Sequence, residues 1–254
     1  MRVFAISDIH IDYAENRHWI TNLSKIEYKR DILLLAGDIS DDASLVAKAF
    51  TELKSCFKEV LFVPGNHDLW VLRDKNLTSP DKFELLKTIA DTHGVHMKPY
   101  TCGSLSVVPL FAWYDYTFGQ PSNNIIKTWM DYYACKWPQG YNEKVITEYF
   151  LEMNEPNLGI KNEMVISFSH FLPRIDVMPV FIPPSKRELY PVLGSDLLDR
   201  QVSRLGANIH VFGHSHVNIN VVKENVLYIN NAYGYPHEFG INAKSLRCVY
   251  ENNF

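Results

Sequence analysis

The chain has 254 residues, of which 46% are hydrophobic and 21% are charged. This composition is typical of a globular protein with a sizeable core, and we expect one domain over residues 1–254. The net charge of −4 lacks the basic excess of a general nucleic-acid binder and gives no polybasic membrane signal, so we expect neither partner.

The sequence also predicts where the protein works. No stretch approaches the roughly 20 apolar residues of a membrane span, and the apolar run at the N-terminus stops at Asp8, as a strand would. The four cysteines are scattered without C-x-x-C spacing, which favours reduced thiols. We therefore expect a cytoplasmic protein, and the sequence leaves its oligomeric state open.

The first hundred residues alternate short apolar runs with amphipathic stretches. The runs RVFAIS, DILLLAG and EVLFVPG are apolar on both faces, which is typical of buried parallel strands. Residues 40–57 and 80–94 carry helix caps and helical spacing. This order predicts β-α-β-α-β-α with a parallel sheet.

The second half of the chain is less regular. Its patterns predict helices over residues 142–154 and 195–206, and a long proline-rich loop over 179–194. Strands are predicted in SLSVVPLFAWYD, EMVISFSH, NIHVFG, a hairpin turning at Lys223–Asn225, and SLRCVYE. Residues 113–140, here called the excursion, have no clean period and form either a packed surface segment or a lid over a site.

Five predicted strands end in side chains that bind metals. These side chains are Asp8 and His10, Asp38, Asn66, His170, and His214 and His216. Because the crevice at the carboxyl ends of strands is where sites form in α/β sheets, we expect them to meet there. Seven ligands are too many for one ion but suit two ions that share a carboxylate. Imidazole, carboxylate and amide oxygen together suit Mn, Fe or Zn.

A pair of metal ions roughly 3.5–4 Å apart is a device for hydrolysing phosphate esters. The ordered motifs D-x-H, G-D, G-N-H-D, an isolated His and G-H-x-H span residues 8–216. Together they resemble the calcineurin-like metallophosphoesterase superfamily. The resemblance implies an α/β fold, a four-layer α/β/β/α sandwich with two central mixed sheets and a dimetal site at the C-terminal strand edge. It also implies an enzyme in which a metal-bridging hydroxide attacks phosphorus in line.

The resemblance further implies a role for each motif residue. The first of two divalent or trivalent ions would be bound by Asp8, His10 and His216. The second ion would be bound by Asn66, His170 and His214. Asp38 would bridge both ions, His67 would stabilise the phosphate and protonate the leaving oxygen, and Asp68 would orient His67.

One detail of this assignment tests the local backbone. Strand alternation would place His214 and His216 on one face, as neighbours toward a single ion. The resemblance instead assigns them to different ions. The assignment to different ions can hold only if the chain leaves the strand at Gly213 and turns, so that strand alternation no longer applies to this pair.

The residues within the motifs restrict the class of substrate. The sequence GDISDD lacks the Arg-Gly of protein phosphatases, and recombination nucleases of the family bring a DNA-binding domain for which this chain has little room. A small phosphodiesterase or phosphatase acting on a small phosphorylated substrate fits best. Protein or nucleic-acid substrates remain alternatives, as does a non-catalytic scaffold, because some family members have lost ligands and serve as binding surfaces.

Two further features could contact substrate. Arg174 follows His170 in SHFLPR and could bind a phosphate oxygen, although a solvated loop arginine is the alternative. The aromatic residues between Trp129 and Trp137 could stack on a flat group or simply pack, and the sequence does not decide between them.

Overall fold

A computed structural model describes residues 1–252 of the chain. The strands of this part are β1 (Arg2–Ile6), β2 (Ile32–Ala36), β3 (Glu59–Val63), β4 (Tyr100–Cys102), β5 (Leu105–Pro109), β6 (Met164–Phe168), β7 (Ile209–Phe212), β8 (Ile219–Lys223), β9 (Val226–Asn230) and β10 (Arg247–Glu251). Its α-helices are α1 (Ala14–Thr21), α2 (Ala43–Cys56), α3 (Ser79–Thr92), α4 (Asn123–Thr128), α5 (Asp131–Ala134), α6 (Glu143–Asn154) and α7 (Asp196–Leu205). Short 3₁₀ helices cover His67–Leu69, Glu155–Asn157, Ile175–Val177 and Pro184–Val192.

The strands form two mixed sheets. The smaller sheet has the order β10-β1-β2-β3, with β1, β2 and β3 parallel and β10 antiparallel at the edge. The larger sheet has the order β4-β5-β6-β7-β9-β8, in which only the edge strands β4 and β8 run antiparallel to their neighbours. The parallel β-α-β-α-β start predicted from the first hundred residues is therefore observed.

Strand alternation divides the core into layers. In β1, Val3 and Ala5 pack in a cluster made only of strand residues from both sheets, whereas Phe4 and Ile6 pack with helix residues. Successive side chains of a strand point to opposite faces, so each central strand is apolar on both. The two sheets therefore face each other and carry helices outside, which is the four-layer α/β/β/α sandwich.

Several elements differ from the sequence predictions. Helix α1 is implied by the predicted β-α-β order, but no sequence pattern marks its bounds: only Asn16 and Ile20 are buried, so it has no apolar stripe. Strand β4 is too short to show a period. The proline-rich loop contains the 3₁₀ helix Pro184–Val192. The predicted hairpin, by contrast, is present: it turns at Glu224 and Asn225, whose φ angles of 50° and 67° suit a tight two-residue turn.

The excursion packs against the body of the protein. Trp113 and Tyr114 are buried, and Trp129, Tyr132 and Trp137 lie against the core as partly buried rings. Most of the aromatic side chains of the excursion therefore pack against the core. Among residues 1–252, no helix combines the length and apolar character that crossing a membrane requires.

Candidate dimetal centre

All seven candidate ligands lie at the carboxyl ends of strands from both sheets. Asp8 and His10 follow β1, Asp38 follows β2, and Asn66 follows β3. The remaining candidates, His170, His214 and His216, follow β6 and β7. Most are fully buried, and the loops bring all of them together at one edge of the sandwich.

The backbone of these loops is unusual. Of nine non-glycine residues with positive φ within residues 1–252, five are candidate ligands. They are Asp8 (53°), His10 (38°), Asp38 (57°), His214 (66°) and His216 (54°). Left-handed backbone is uncommon for non-glycine residues, although Asp and His adopt it more often than most, and it persists where surrounding structure enforces it, commonly at functional sites. Strand β7 ends before His214, so strand alternation does not apply to the last pair and the predicted turn is present.

Two glycines allow the loops to approach closely. Gly37 has a φ of +85°, and a Cβ atom there would overlap the ring of His170. At Gly65 a Cβ atom would overlap the carboxylate of Asp38, reaching its Cγ at 2.8 Å. Side chains at either position would push apart the groups that form the site.

The first group contains Asp8, His10 and His216. The Nε2 atom of His216 lies 3.2 Å from Nε2 of His10 and 3.2 Å from Oδ1 of Asp8. The three side chains offer ligand atoms that all lie within 4.8 Å of one another.

The second group contains Asn66, His170 and His214. The Nε2 atom of His170 lies 3.1 Å from Oδ1 of Asn66 and 3.1 Å from Nδ1 of His214. Asp38 lies between the groups, since its Oδ1 is 3.5 Å from His170 Nε2 and its Oδ2 is 4.0 Å from His10 Nε2. This placement is compatible with the two ligand sets around a shared carboxylate that the resemblance implies.

These distances fit metal ions. Two atoms that each lie about 2.0–2.2 Å from one ion, at roughly 90–110°, are separated by about 3.0–3.5 Å. The outer nitrogens of three imidazoles are held by oxygens: His170 Nδ1 by Ala36 O (2.9 Å), His214 Nε2 by Val192 O (3.0 Å), and His216 Nδ1 by Glu238 Oε2 (2.7 Å). When each outer N–H donates to its oxygen, the inner nitrogen presents a lone pair to the centre. The residues present therefore fit two ions.

The charges of the site also favour cations. Burial, together with the carboxylates of Asp8 and Asp68, raises the pKa of Asp38 well above its usual range. Burial lowers the pKa of His216, but Asp8 and Glu238 outweigh this effect and raise it to about 9. Burial lowers the pKa of His10, His170 and His214. Cations bound to these side chains would displace the protons that the carboxylates and imidazoles otherwise hold. They would also reduce the repulsion between the carboxylates of Asp8 and Asp38.

His67 lies at the mouth of the centre. Its Nε2 is 3.8 Å from Oδ2 of Asp38, and its ring stacks on Trp70 with a centroid distance of 3.7 Å. A cavity of about 340 Å³ opens beside it. The residues that line this cavity are His10, Asp12, Tyr13, Asp41, His67, Trp70, Arg73 and Tyr235. His67 is thus placed to contact a group that enters the cavity.

Asp68 has a different role from the one expected. Its carboxylate accepts backbone N–H groups of Asp38, Ile39, Ser40 and Gly65 at 2.8–3.0 Å. It makes no hydrogen bond to the ring of His67 in the described part of the chain. The buried carboxylate therefore ties together the loops after β2 and β3, because four amide donors satisfy it there.

Arg174 also lies elsewhere than expected. Its guanidinium pairs with Asp176 (2.7 Å), Glu224 (3.3 Å) and Asp199 (3.5 Å), and its side chain is 16% exposed. The cavity beside it is lined by none of the candidate ligands. The nearby carboxylates pair with the guanidinium away from the centre, and the arginine that lines the cavity beside His67 is Arg73.

Sequence reasoning missed four residues that contact the site. They are Trp70, Asp131, Tyr235 and Glu238. Asp131 lies within the aromatic stretch, so its polar side chain among apolar neighbours was a usable signal. No local pattern marks Glu238.

The chain is similar to several known proteins. Residues 1–218 match the family model of calcineurin-like phosphoesterases. An acyl-carrier-protein phosphodiesterase of Mycobacterium tuberculosis, PptH, is 25% identical over 274 residues, covering 93% of this chain and 79% of that protein. An uncharacterised protein of Acanthamoeba polyphaga mimivirus is 22% identical and covers 92% and 91%.

The fold has a solved counterpart. The crystal structure of the phosphopantetheinyl hydrolase PptH from Mycobacterium tuberculosis matches with a TM-score of 0.80 at 22% identity, covering 99% of this chain and 96% of that one. Because the family model spans most of the sequence, the chain belongs to the calcineurin-like phosphoesterases and is a metal-dependent hydrolase of phosphoesters, as its ordered motifs imply.

Proposed function

We propose that the chain is a phosphodiesterase whose centre holds two ions of Mn, Fe or Zn. The observation that carries this proposal is the convergence of seven side chains into two groups around Asp38. The first group would bind one ion, the second group would bind the other, and Asp38 would contact both. Two such ions supply activated water near neutral pH and neutralise charge on the phosphoryl oxygens.

The protein's own residues would orient the substrate and protonate the departing oxygen. His67 would donate a hydrogen bond to a phosphoryl oxygen at the mouth of the centre and then protonate the departing oxygen. Burial, with His170 and His216 nearby, lowers the pKa of His67 to about 3. An anionic phosphate beside the ring would raise that pKa, whereas the two bound cations would lower it.

We further propose that the substrate is a phosphodiester that links a phosphopantetheine-type arm to a carrier protein. Support comes from the mycobacterial relative, which is named for that activity and matches along most of both chains. The aromatic rings of Tyr13, Trp70 and Tyr235 line the cavity and suit an uncharged, extended arm. Small diesters with an alkyl or aryl arm are the second candidate, since the same cavity would admit them.

A metal-by-substrate panel tests both proposals. Protein stripped of metal would be reloaded with Mn, Fe, Zn or Ni and assayed on bis-nitrophenyl phosphate, nitrophenyl phosphate and a phosphopantetheinylated acyl carrier protein. We expect hydrolysis of the diester and release of the arm from the carrier, measured by mass spectrometry. Metal-replete protein that is inert on every ester would overturn the proposed function. Hydrolysis of the nitrophenyl diester without release from the carrier would reject the carrier substrate alone.

A further inference from the structure

Asp131 is a buried carboxylate at the start of α5, in the middle of the excursion. Its side chain accepts three hydrogen bonds from neutral donors: Asn66 Nδ2 at 2.9 Å, Trp70 Nε1 at 2.7 Å and Trp129 Nε1 at 2.8 Å. The residue is 3% exposed. Burying a carboxylate is costly unless donors surround it, so the three N–H groups and the carboxylate hold one another in fixed positions.

The contact with Asn66 decides which end of the amide faces the centre. The oxygen and nitrogen of an asparagine amide have nearly the same size, but only the oxygen can be a metal ligand. Because a carboxylate only accepts hydrogen bonds, Asp131 attracts Nδ2 and turns Oδ1 away. Oδ1 then lies 3.1 Å from Nε2 of His170, inside the second group.

The contact with Trp70 reaches the other side of the site. Nε1 of Trp70 donates to the same Oδ1 of Asp131, and the indole ring stacks on His67 at 3.7 Å. One carboxylate therefore holds a candidate metal ligand and the ring that supports the candidate proton donor. The excursion carries both contacts, 65 residues along the chain from Asn66.

We propose that Asp131 is a positioning residue that turns the amide oxygen of Asn66 toward the second ion. The inference rests on the proposed function, because it assumes that the second group binds metal. It assigns a role to the aromatic stretch of the excursion, which supplies the carboxylate and one of the donors that keep it buried. It also predicts that a substitution of Asp131 lowers the affinity for one ion and leaves the affinity for the other unchanged.

Metal titration tests the proposal without an activity assay. Metal-stripped wild type, Asp131→Asn and Asp115→Asn would be titrated with Mn²⁺ by calorimetry after circular dichroism confirms folding. We expect wild type to bind two equivalents, and Asp131→Asn to lose affinity for one equivalent by about 10–100-fold while keeping the other. Asp115 is a matched control from the same excursion, bonded to Thr117 and Ser195, so its variant should bind both ions like wild type.

A paired substitution separates orientation from mere loss of stability. In Asn66→Asp/Asp131→Asn the carboxylate at position 66 presents an oxygen whichever way it turns, and the new amide at 131 can donate to it. We expect the double variant to bind the second equivalent more tightly than Asp131→Asn. Equal affinity of the double variant and Asp131→Asn, or two wild-type affinities in Asp131→Asn, would overturn the proposal. Wild type that binds fewer than two equivalents would instead overturn the proposed dimetal function.

Discussion

The Oε2 atom of Glu238 lies 2.7 Å from Nδ1 of His216, 22 residues away along the chain. The same oxygen accepts the backbone N–H of Tyr235 at 2.8 Å. This carboxylate therefore fixes the orientation of the imidazole, and with Asp8 it raises the pKa of His216 against the effect of burial. Glu238 thus orients a ligand of the first group, His216, as Asp131 orients a ligand of the second group, Asn66.

Glu238→Ala should weaken the binding of the first ion. Removing the acceptor frees the His216 ring to rotate and makes its inner nitrogen less basic, so we expect a loss of about 10–100-fold in affinity for one equivalent of metal. Titration with Mn²⁺ would measure it. Glu155→Ala is the control, since Glu155 forms an exposed ion pair with Arg204 and should leave both affinities unchanged. Unaltered binding in Glu238→Ala would show that the contact does not support a ligand.

The His67→Ala variant should still bind both ions but should hydrolyse substrate more slowly. His67 is outside the two ligand sets that the resemblance implies, although its ring nitrogen lies within 4.8 Å of ligand atoms of His10 and Asp38, and it is stacked on Trp70 at the mouth of the centre. We expect kcat to fall by about 10²–10⁴-fold, most strongly for alkyl esters, whose departing oxygen needs a proton. Steady-state assays on nitrophenyl and alkyl diesters would measure the difference. Equal losses on both substrates would argue against protonation by His67.

Arg174→Ala should reduce stability and spare activity. The substitution removes the cation that Asp176, Asp199 and Glu224 share, but Asp176 keeps Lys223 and the pairs are partly exposed, so we expect a loss of about 1 kcal/mol in unfolding free energy. Urea unfolding would measure it, and kcat/KM should match wild type. The contrasting variant is Arg73→Ala, which removes the arginine that lines the cavity beside His67 and should raise KM. A raised KM in Arg174→Ala would return this residue to the substrate site.

His210 should make the fold sensitive to acid. Its ring lies buried between the hydroxyls of Ser167 (2.8 Å) and Ser169 (3.0 Å), and burial lowers its pKa to about 3. An unfolded histidine titrates near pH 6.5. Between those values the unfolded chain binds a proton that the folded chain does not, so stability falls as the pH falls, by up to about 1.4 kcal/mol per pH unit.

Urea unfolding of metal-free wild type and His210→Gln between pH 4 and 7 would check this dependence. The glutamine variant carries no titrating group at position 210 and should show a shallower decline in unfolding free energy toward low pH. Parallel pH profiles for the two proteins would contradict the assignment of a neutral, buried His210.

Local sequence patterns determined most of the fold and the identity of the candidate ligands. Apolar runs such as residues 32–36 mark buried strands because their burial on both faces is a local property. A polar residue directly after such a run, such as Asp38, must lie at the strand's carboxyl end. Five such ends in order were therefore enough to predict a two-ion site and its family.

Only the tertiary structure decided how those residues are held. Glu238, Asp131 and the carbonyl of Val192 support the ligands from distant parts of the chain, and the position of a hydrogen-bond acceptor depends on packing that no local pattern encodes. The same reason explains Arg174, whose place near His170 in the sequence suggested a substrate contact. The surrounding carboxylates bind its guanidinium instead, because ion pairs form with the charges that the fold brings near rather than with neighbours in sequence.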